Sequence, residues 1–329
     1  MIARREFIVA LGAGAFAVPR VLLAQSKVWR IGFLYSGSRQ TVMDRGRYAA
    51  FLRGMRELGY LEGKHFVIEA RFASGNEVER VPALAAELVH ANVDVIVSNG
   101  TSAAQALKRE TSTIPVVVTL TNDFVGEGLG ASLAHPGGNF TGLGGFLTEV
   151  TPKQIEMLKL VVPRLQRVGC LAHSRNSMHP ALVKHIEAAA GPSAIRVLSV
   201  SVDSLDGIER SVGDLSRRRA QALIILSDAF FSQYLKQIAA FSIQNRLASI
   251  YWTGEYPEAG GLMSYGPDIR ENYHRAATYV DKILKGANPG DLPIEQPTKF
   301  ELVINRRTAG ALGIKLSEEV LFRADKVIE

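Results

Sequence analysis

The chain has 329 residues, of which 47% are hydrophobic, and this is enough for two domains that each bury a core. Its formal net charge of +6 is mild for the length, and the longest basic run is only residues 217–219, which argues against a nucleic-acid partner. Cys170 is the only cysteine, so an internal disulfide and a cysteine-based zinc site are excluded.

Residues 1–25 have the layout of a twin-arginine export signal. Arg4 and Arg5 stand directly before an apolar run at 8–18, which is too short to cross a hydrocarbon core of about 30 Å as a helix. We therefore predict a cleaved signal peptide and a periplasmic mature protein. Gln25 and Ser26 stand where a lipoprotein would carry cysteine, so no lipid anchor is predicted. The alternative interpretation is a buried or membrane-bound N-terminal helix.

Downstream of the signal, short apolar runs alternate with amphipathic segments, which is typical of βαβ units and a parallel sheet. This pattern occurs twice, so we predict an α/β fold with two doubly wound parallel-sheet lobes. The first set has predicted strands at 28–35, 65–71, 93–98 and 115–120, and helices at 45–58, 79–90 and 102–109. The second set has predicted strands at 167–172, 196–202, 222–226 and 249–251, and helices at 180–190, 205–218 and 231–244.

Glycine-rich extended segments at 135–146 and 259–266 are predicted to cross between the lobes. An amphipathic helix is predicted at 269–285, and a third passage at 299–305, where Phe300, Leu302 and Ile304 alternate as in a strand. The glycines at 142–145 and 260–261 are the hinge candidates. The predicted first lobe comprises residues 26–145 and about 262–290, and the second lobe comprises 146–261 and about 298–329, joined by a multi-crossing hinge.

Several motifs occur along the chain in a characteristic order: LGYLEG at 58–63, IPVV at 114–117, PGGNFTG at 136–142, GGLMSYG at 260–266 and LPIEQPTKF at 292–300. With them, the whole chain resembles the ABC transporter substrate-binding protein family, which includes tryptophan-type and tyrosine-type solute receptors. The resemblance implies a type I periplasmic binding protein fold. It also implies a receptor that delivers a small-molecule solute to an ABC permease and its ATPase in the inner membrane.

One departure from the family pattern concerns the turn after the fourth strand. Many members carry Gly-Asp-Pro there, whereas this chain has Asn122, Asp123 and Phe124. The difference weakens any ligand assignment carried over from relatives.

Ligands of open α/β sheets bind beyond the carboxyl ends of the strands. The segment Asn99, Gly100, Thr101 and Ser102 is the strongest candidate, because glycine permits close approach and the following helix presents free N–H groups that suit a carboxylate. The alternative is that Thr101 or Ser102 is an ordinary N-cap. Asp228 is predicted either to balance a ligand ammonium or to cap the next helix.

Aromatic residues at strand ends are predicted to stack on the ligand, or else to belong to the core. Tyr35 and Tyr251 are the candidates, and Trp252 points to the opposite face from Tyr251, so at most one of these two neighbours faces the cleft. The other predicted ligand-binding residues are Ser36, Thr119, Asn122 and Asn176.

No catalytic motif is present in the sequence. The G-x-S-x-G spacing is not met around Ser264, no two of the seven histidines have H-x-x-x-H spacing, and neither a P-loop nor a dinucleotide-binding glycine motif follows a strand. We therefore predict no enzyme activity, no cofactor and no metal. The predicted function is a solute receptor that captures a small carboxylate-bearing solute, such as an amino acid or aromatic acid, by hinge closure. The alternatives are a ligand sensor for a receptor kinase and an exported hydrolase.

Overall fold

The computed structural model describes residues 27–73, 77–121, 123–144 and 147–329. The predicted signal peptide, residues 1–25, and Asn122 lie outside these residues.

The first lobe is built on a parallel sheet, as the sequence predicts, but the sheet has five strands where four are predicted. Its strands lie in the order β2-β1-β3-β4-β5 and all run in the same direction. The elements in chain order are β1 (Trp29–Tyr35), α1 (Arg39–Asp44), α2 (Arg47–Glu57), β2 (Phe66–Phe72), α3 (Glu77–His90), β3 (Val95–Asn99), α4 (Thr101–Glu110), β4 (Val116–Val118) and β5 (Phe140–Gly142).

The second lobe has a seven-stranded sheet in the order β12-β11-β10-β9-β8-β6-β7. Neighbouring strands are parallel except for β10 and β11. The remaining elements are α5 (Leu147–Val161), β6 (Arg167–His173), α6 (His179–Ala190), β7 (Arg196–Val202), α7 (Leu205–Arg217), β8 (Ala222–Ile225), α8 (Ala229–Gln233), α9 (Leu235–Gln244), β9 (Ala248–Tyr251), α10 (Glu255–Glu258), β10 (Met263–Gly266), α11 (Ile269–Leu284), β11 (Glu301–Asn305), α12 (Arg306–Ala311), α13 (Glu318–Arg323) and β12 (Lys326–Ile328), with short 3₁₀ helices at Gly191–Ser193 and Pro289–Asp291.

Burial explains why the central strands are rich in apolar residues. Every residue of β3 and of β8 is buried, as expected for parallel strands covered by helices on both faces. The helices bury only one side: α7 buries Ile208, Val212 and Leu215, which are spaced four and three residues apart. Cys170 lies in the core of the second lobe, and burial raises the pKa of its thiol to about 12. Within the described residues, no helix is both long and apolar enough to span a bilayer.

The chain passes between the lobes at three places. The second crossing lies later in the chain than the predicted lobe boundary at about residue 262. Residues 262–266 were expected in the first lobe, but Met263 and Ser264 pair with Ile250 and Tyr251 in the second sheet. Gly266 ends this strand so close to Trp252 that a Cβ would be only 1.8 Å from the Trp252 carbonyl oxygen, so the position requires glycine.

The second crossing therefore lies at residues 267–268, and the hinge candidates Gly260 and Gly261 precede it inside the second lobe. Helix α11 packs against α2 in the first lobe. The chain stays in the first lobe as far as Glu295, which exchanges backbone hydrogen bonds with Gly142 (2.9 Å) and Gly144 (3.1 Å). It then returns to the second sheet as β11.

Gly142 lies at the end of β5, next to the first crossing. Its φ of +127° is a backbone conformation that residues with a side chain rarely adopt, and a Cβ would lie 2.2 Å from the carbonyl oxygen of Val118. We expect Gly142→Ala to lower the free energy of unfolding by roughly 1–3 kcal/mol, measured by chemical denaturation. Gly138→Ala is the matched control, since nothing lies within 4 Å of its added Cβ. Equal stability of the two variants would contradict the close approach of these strands.

Candidate functional site

A cavity of about 360 Å³ lies between the two lobes. This volume falls toward the lower end of the roughly 300–1,000 Å³ range of small-molecule sites. Its walls come from the carboxyl ends of β1 and β3 in the first lobe and of β6, β8 and β9 in the second. The location therefore agrees with the rule for open parallel sheets.

The structure brings seven of the predicted residues to this cavity and leaves three behind its wall. Asn122 lies outside the described residues. Binding of a solute by any of them stays a prediction. The residues that line the cavity are Tyr35, Asn99, Gly100, Thr101, Ser102, Asn176 and Asp228, and those that do not are Ser36, Thr119 and Tyr251.

Ser36 and Thr119 are buried supports of the cavity wall. The Ser36 hydroxyl lies 3.0 Å from the Ser102 hydroxyl and donates to the carbonyl oxygen of Asn99 at 3.2 Å. The Thr119 hydroxyl accepts a hydrogen bond from the Asn99 side chain at 3.2 Å. Both residues hold lining residues in place instead of facing the cavity.

Tyr251 is a core residue, so its prediction as a lining residue is wrong. Its ring is fully buried, and its hydroxyl donates to the carbonyl oxygen of Asp228 at 3.2 Å and lies 3.1 Å from the Ser232 hydroxyl. Burial raises its pKa to about 12. Trp252, the next residue, lines the cavity, because successive side chains of an extended segment point to opposite faces.

The N-terminus of α4 opens onto the cavity without a side-chain cap. Gly100 is the N-cap residue, with a φ of +85°. Thr101 and Ser102 lie inside the first turn, so the expectation that one of them is an ordinary N-cap is wrong. Their hydroxyls are used elsewhere: Thr101 donates to Glu127 Oε1 at 2.7 Å, and Ser102 pairs with Ser36.

Asp228 lies on the opposite wall and does cap a helix. Its carboxylate accepts hydrogen bonds from the Phe230 backbone at 2.8 Å and from the Asn176 side chain at 2.8 Å, and lies 3.2 Å from His173 Nδ1. Burial alone would raise the pKa of Asp228, but the bonds from His173 and Asn176 outweigh it and hold the pKa below its usual value. The cavity wall therefore carries an ionised carboxylate at neutral pH.

Two histidines position Asp228. His179 Nδ1 accepts the backbone N–H of His173 at 2.7 Å, so the ring hydrogen is on Nε2, which donates to the carbonyl oxygen of Ser227 at 3.1 Å. Burial lowers the pKa of His179 and favours this neutral form. The His173 ring stacks on Phe230 with centroids 4.5 Å apart.

The cavity also has lining residues beyond the predicted ligand-binding set, among them Arg47, Gln105, His173 and Trp252. His173 and Trp252 end or follow β6 and β9, which is where the strand-end rule looks for candidates. Arg47 and Gln105 lie on helices, and their direction depends on packing between elements. Among the residues that the structure describes, no group of histidine, cysteine or carboxylate side chains is arranged to hold a metal ion.

The protein has two α/β lobes built on largely parallel sheets, three crossings of the chain between them, and a cavity between the lobes. These features define the type I periplasmic binding protein fold. The profile of the ABC transporter substrate binding proteins matches residues 41–328, and the chain belongs to this family. It is thus a substrate-binding protein and not an enzyme.

Three relatives are similar over most of the chain. A conserved domain protein from Vibrio cholerae is 26% identical, with a TM-score of 0.85 over 92% of this chain and 100% of its own. A protein domain from Streptococcus pneumoniae, crystallised with L-Trp, is 26% identical with a TM-score of 0.84 over the same shares. A tyrosine-binding protein from Clostridioides difficile is 23% identical over 82% of this chain and 77% of its own.

The buried neutral His179 predicts a loss of stability in acid. Its pKa is lowered in the folded protein from the ordinary 6.5, so below that pH the unfolded chain binds a proton that the folded chain does not. Its contribution to stability is complete above pH 6.5 and is lost as the pH falls toward the lower, folded-state value. We expect the melting temperature of His179→Gln to fall less than that of the wild type between about pH 7.5 and about pH 5.5.

The control for this experiment is His185→Gln, on the exposed side of the same helix. It should keep the pH dependence of the wild type. If His179→Gln kept it too, the neutral buried state of His179 would be ruled out.

Proposed function

We propose that this chain is the exported, periplasmic solute receptor of an ABC importer and that its solute is an amino acid with an aromatic side chain. The observation that carries the proposal is the placement of an uncapped helix N-terminus and an ionised carboxylate on opposite walls of one cavity. An amino acid carries the two complementary charges, and one molecule could satisfy both walls.

The α-carboxylate is assigned to the N-terminus of α4. Gly100 has no side chain to occupy the first-turn N–H groups, and the positive end of the helix dipole favours an anion there. The hydroxyl pair of Ser36 and Ser102 lies beside this turn and is held within the first lobe.

The α-ammonium is assigned to Asp228. A carboxylate has about four acceptor positions, and Asp228 uses three of them: Oδ1 for Phe230, and Oδ2 for Asn176 and His173. The remaining position on Oδ1 suits a charged donor. His173 and Asn176 keep the carboxylate oriented toward the cavity and ionised.

An aromatic side chain fits the rest of the cavity. Tyr35, Leu120 and Trp252 supply apolar surface, and the relatives include a tyrosine-binding protein and a domain crystallised with L-Trp. Because the two charged ends of the solute contact different lobes, only the closed arrangement satisfies both. This differential affinity is what drives hinge closure.

The first experiment is a thermal-shift measurement on the mature chain, refolded to remove carried-over ligand. L-tryptophan or L-tyrosine at about 100 times its Kd should stabilise the protein by about 2.7 kcal/mol. Tryptamine, which lacks the carboxylate, and indole-3-propionate, which lacks the ammonium, should each stabilise it less. Stabilisation by sugars or nucleobases, and by no amino acid, would contradict the proposal.

Asp228→Asn tests the ammonium site. We expect calorimetry to show L-tryptophan binding weakened by roughly tenfold to a hundredfold, because a hydrogen bond to a charged group is lost. Binding of indole-3-propionate should change little, and this also shows that the variant is folded. Asp203→Asn, an exposed change in the same lobe, is the control. Equal weakening of both ligands would contradict the role of Asp228.

A further inference from the structure

Beyond the solute contacts, we propose that Glu255 is a positioning residue of the cleft: its carboxylate reaches from the second lobe, holds Arg45 and Arg47 of the first lobe together, and thereby stabilises the closed arrangement. The three residues are called the interlobe clasp below. The proposal does not depend on which solute binds.

Every hydrogen bond between Glu255 and the two arginines joins one lobe to the other. Arg47 donates from Nε to Glu255 Oε1 at 2.8 Å and from Nη2 to Oε2 at 2.6 Å, which is a two-bond, fork-shaped pair. Arg45 donates to the same Oε2, and also to the backbone carbonyl of Ser232 in α8. Glu69 and Asp214 also each pair with two arginines, but those side chains are more exposed and each set lies within a single lobe.

Local sequence brings the two arginines to one carboxylate. Gly46 separates α1 from α2 and has a φ of +67°, so the chain turns sharply between Arg45 and Arg47. Arg47 is the first residue of α2, where the helix dipole disfavours a positive charge, and α2 has no acidic residue in its first turn. The compensating negative charge comes from Glu255 in the other lobe.

The clasp is withdrawn from water. The side chains of Arg47 and Glu255 are 2% and 9% exposed, and that of Arg45 is 18% exposed. Burial raises the pKa of the Glu255 carboxyl, but the charges of Arg47 and Arg45 outweigh this and hold its pKa below the usual value. The clasp is therefore ionic. The negative charge of Glu255 compensates the two arginine charges only while the lobes are together.

The clasp is also part of the cavity wall. Arg47 lines the cavity and donates from Nη1 to the hydroxyl of Tyr35 at 2.8 Å, so Glu255 orients both residues. Because Glu255 neutralises Arg47, this arginine does not compete with the N-terminus of α4 for the carboxylate of a solute. Glu255 thus acts on the site through Arg47 without facing the cavity itself.

Removing the Glu255 carboxylate alone should shift the equilibrium between open and closed forms in one definite direction. In the closed arrangement, Glu255→Gln leaves two buried guanidinium groups side by side without a counter-charge, which is strongly unfavourable. In the open arrangement both groups are hydrated. The variant should therefore shift the solute-free protein toward the open form, changing the ratio of open to closed molecules by roughly tenfold or more.

The experiment measures the distance between spin labels in the solute-free protein. Gln40→Cys and Ala181→Cys place labels on exposed positions of the first turns of α1 and α6, on opposite sides of the cleft, and the buried Cys170 is not labelled. We expect Glu255→Gln to add a population at longer distance. The matched control is Glu258→Gln, in the same helix, whose ion pair with Lys326 (2.7 Å) lies within the second lobe. It should keep the distance distribution of the wild type.

A rescue separates this role from a loss of folding. In Glu255→Gln/Arg45→Gln only one guanidinium is left without its partner, so the short-distance population should recover in part. Unchanged distances in Glu255→Gln, or a double variant that is more open than the single one, would overturn the proposal. Since no solute is present, these outcomes are independent of the thermal shifts that test the proposed function.

Discussion

Parallel strands place all their carboxyl ends at one edge of a sheet, and this constraint locates the strand-end residues that line the cleft. Both lobes turn that edge toward the other, so loops distant in sequence meet across a single cavity. The glycines at two of these edges follow from the same constraint. Gly100 begins α4 directly after β3, and Gly266 lets β10 approach Trp252 closely.

The cleft contains two buried carboxylates with different uses, and their partners explain the difference. Asp228 is surrounded by hydrogen-bond donors from its own lobe and keeps acceptor capacity on the cavity side. Glu255 is saturated by two guanidinium groups from the other lobe. The proposed functions follow from this contrast: an unsaturated anion suits a ligand cation, whereas a saturated one suits contact between lobes.

Two of the errors of the sequence analysis have a common cause. The segment 259–266 reads as an extended crossing, and its residues 263–266 do form a strand. Tyr251 reads as a cleft residue at a strand end, and it does end β9. What failed was the assignment of neighbours: the extended segment pairs with β9 in the second sheet, and Tyr251 faces the core while Trp252 faces the cavity. Periodicity gives the conformation of a segment but not the neighbour beside which it lies.

The sequence by itself determined the α/β class, the two repeated lobes and most of the strand-end residues that line the cavity, because alternating apolar patterns and glycine positions are local signals. Only the tertiary structure decided which residues meet across the cleft. Arg47 and Glu255 are 208 positions apart and belong to different lobes. Their pairing depends on how the two lobes pack, and no local pattern in either segment encodes that arrangement.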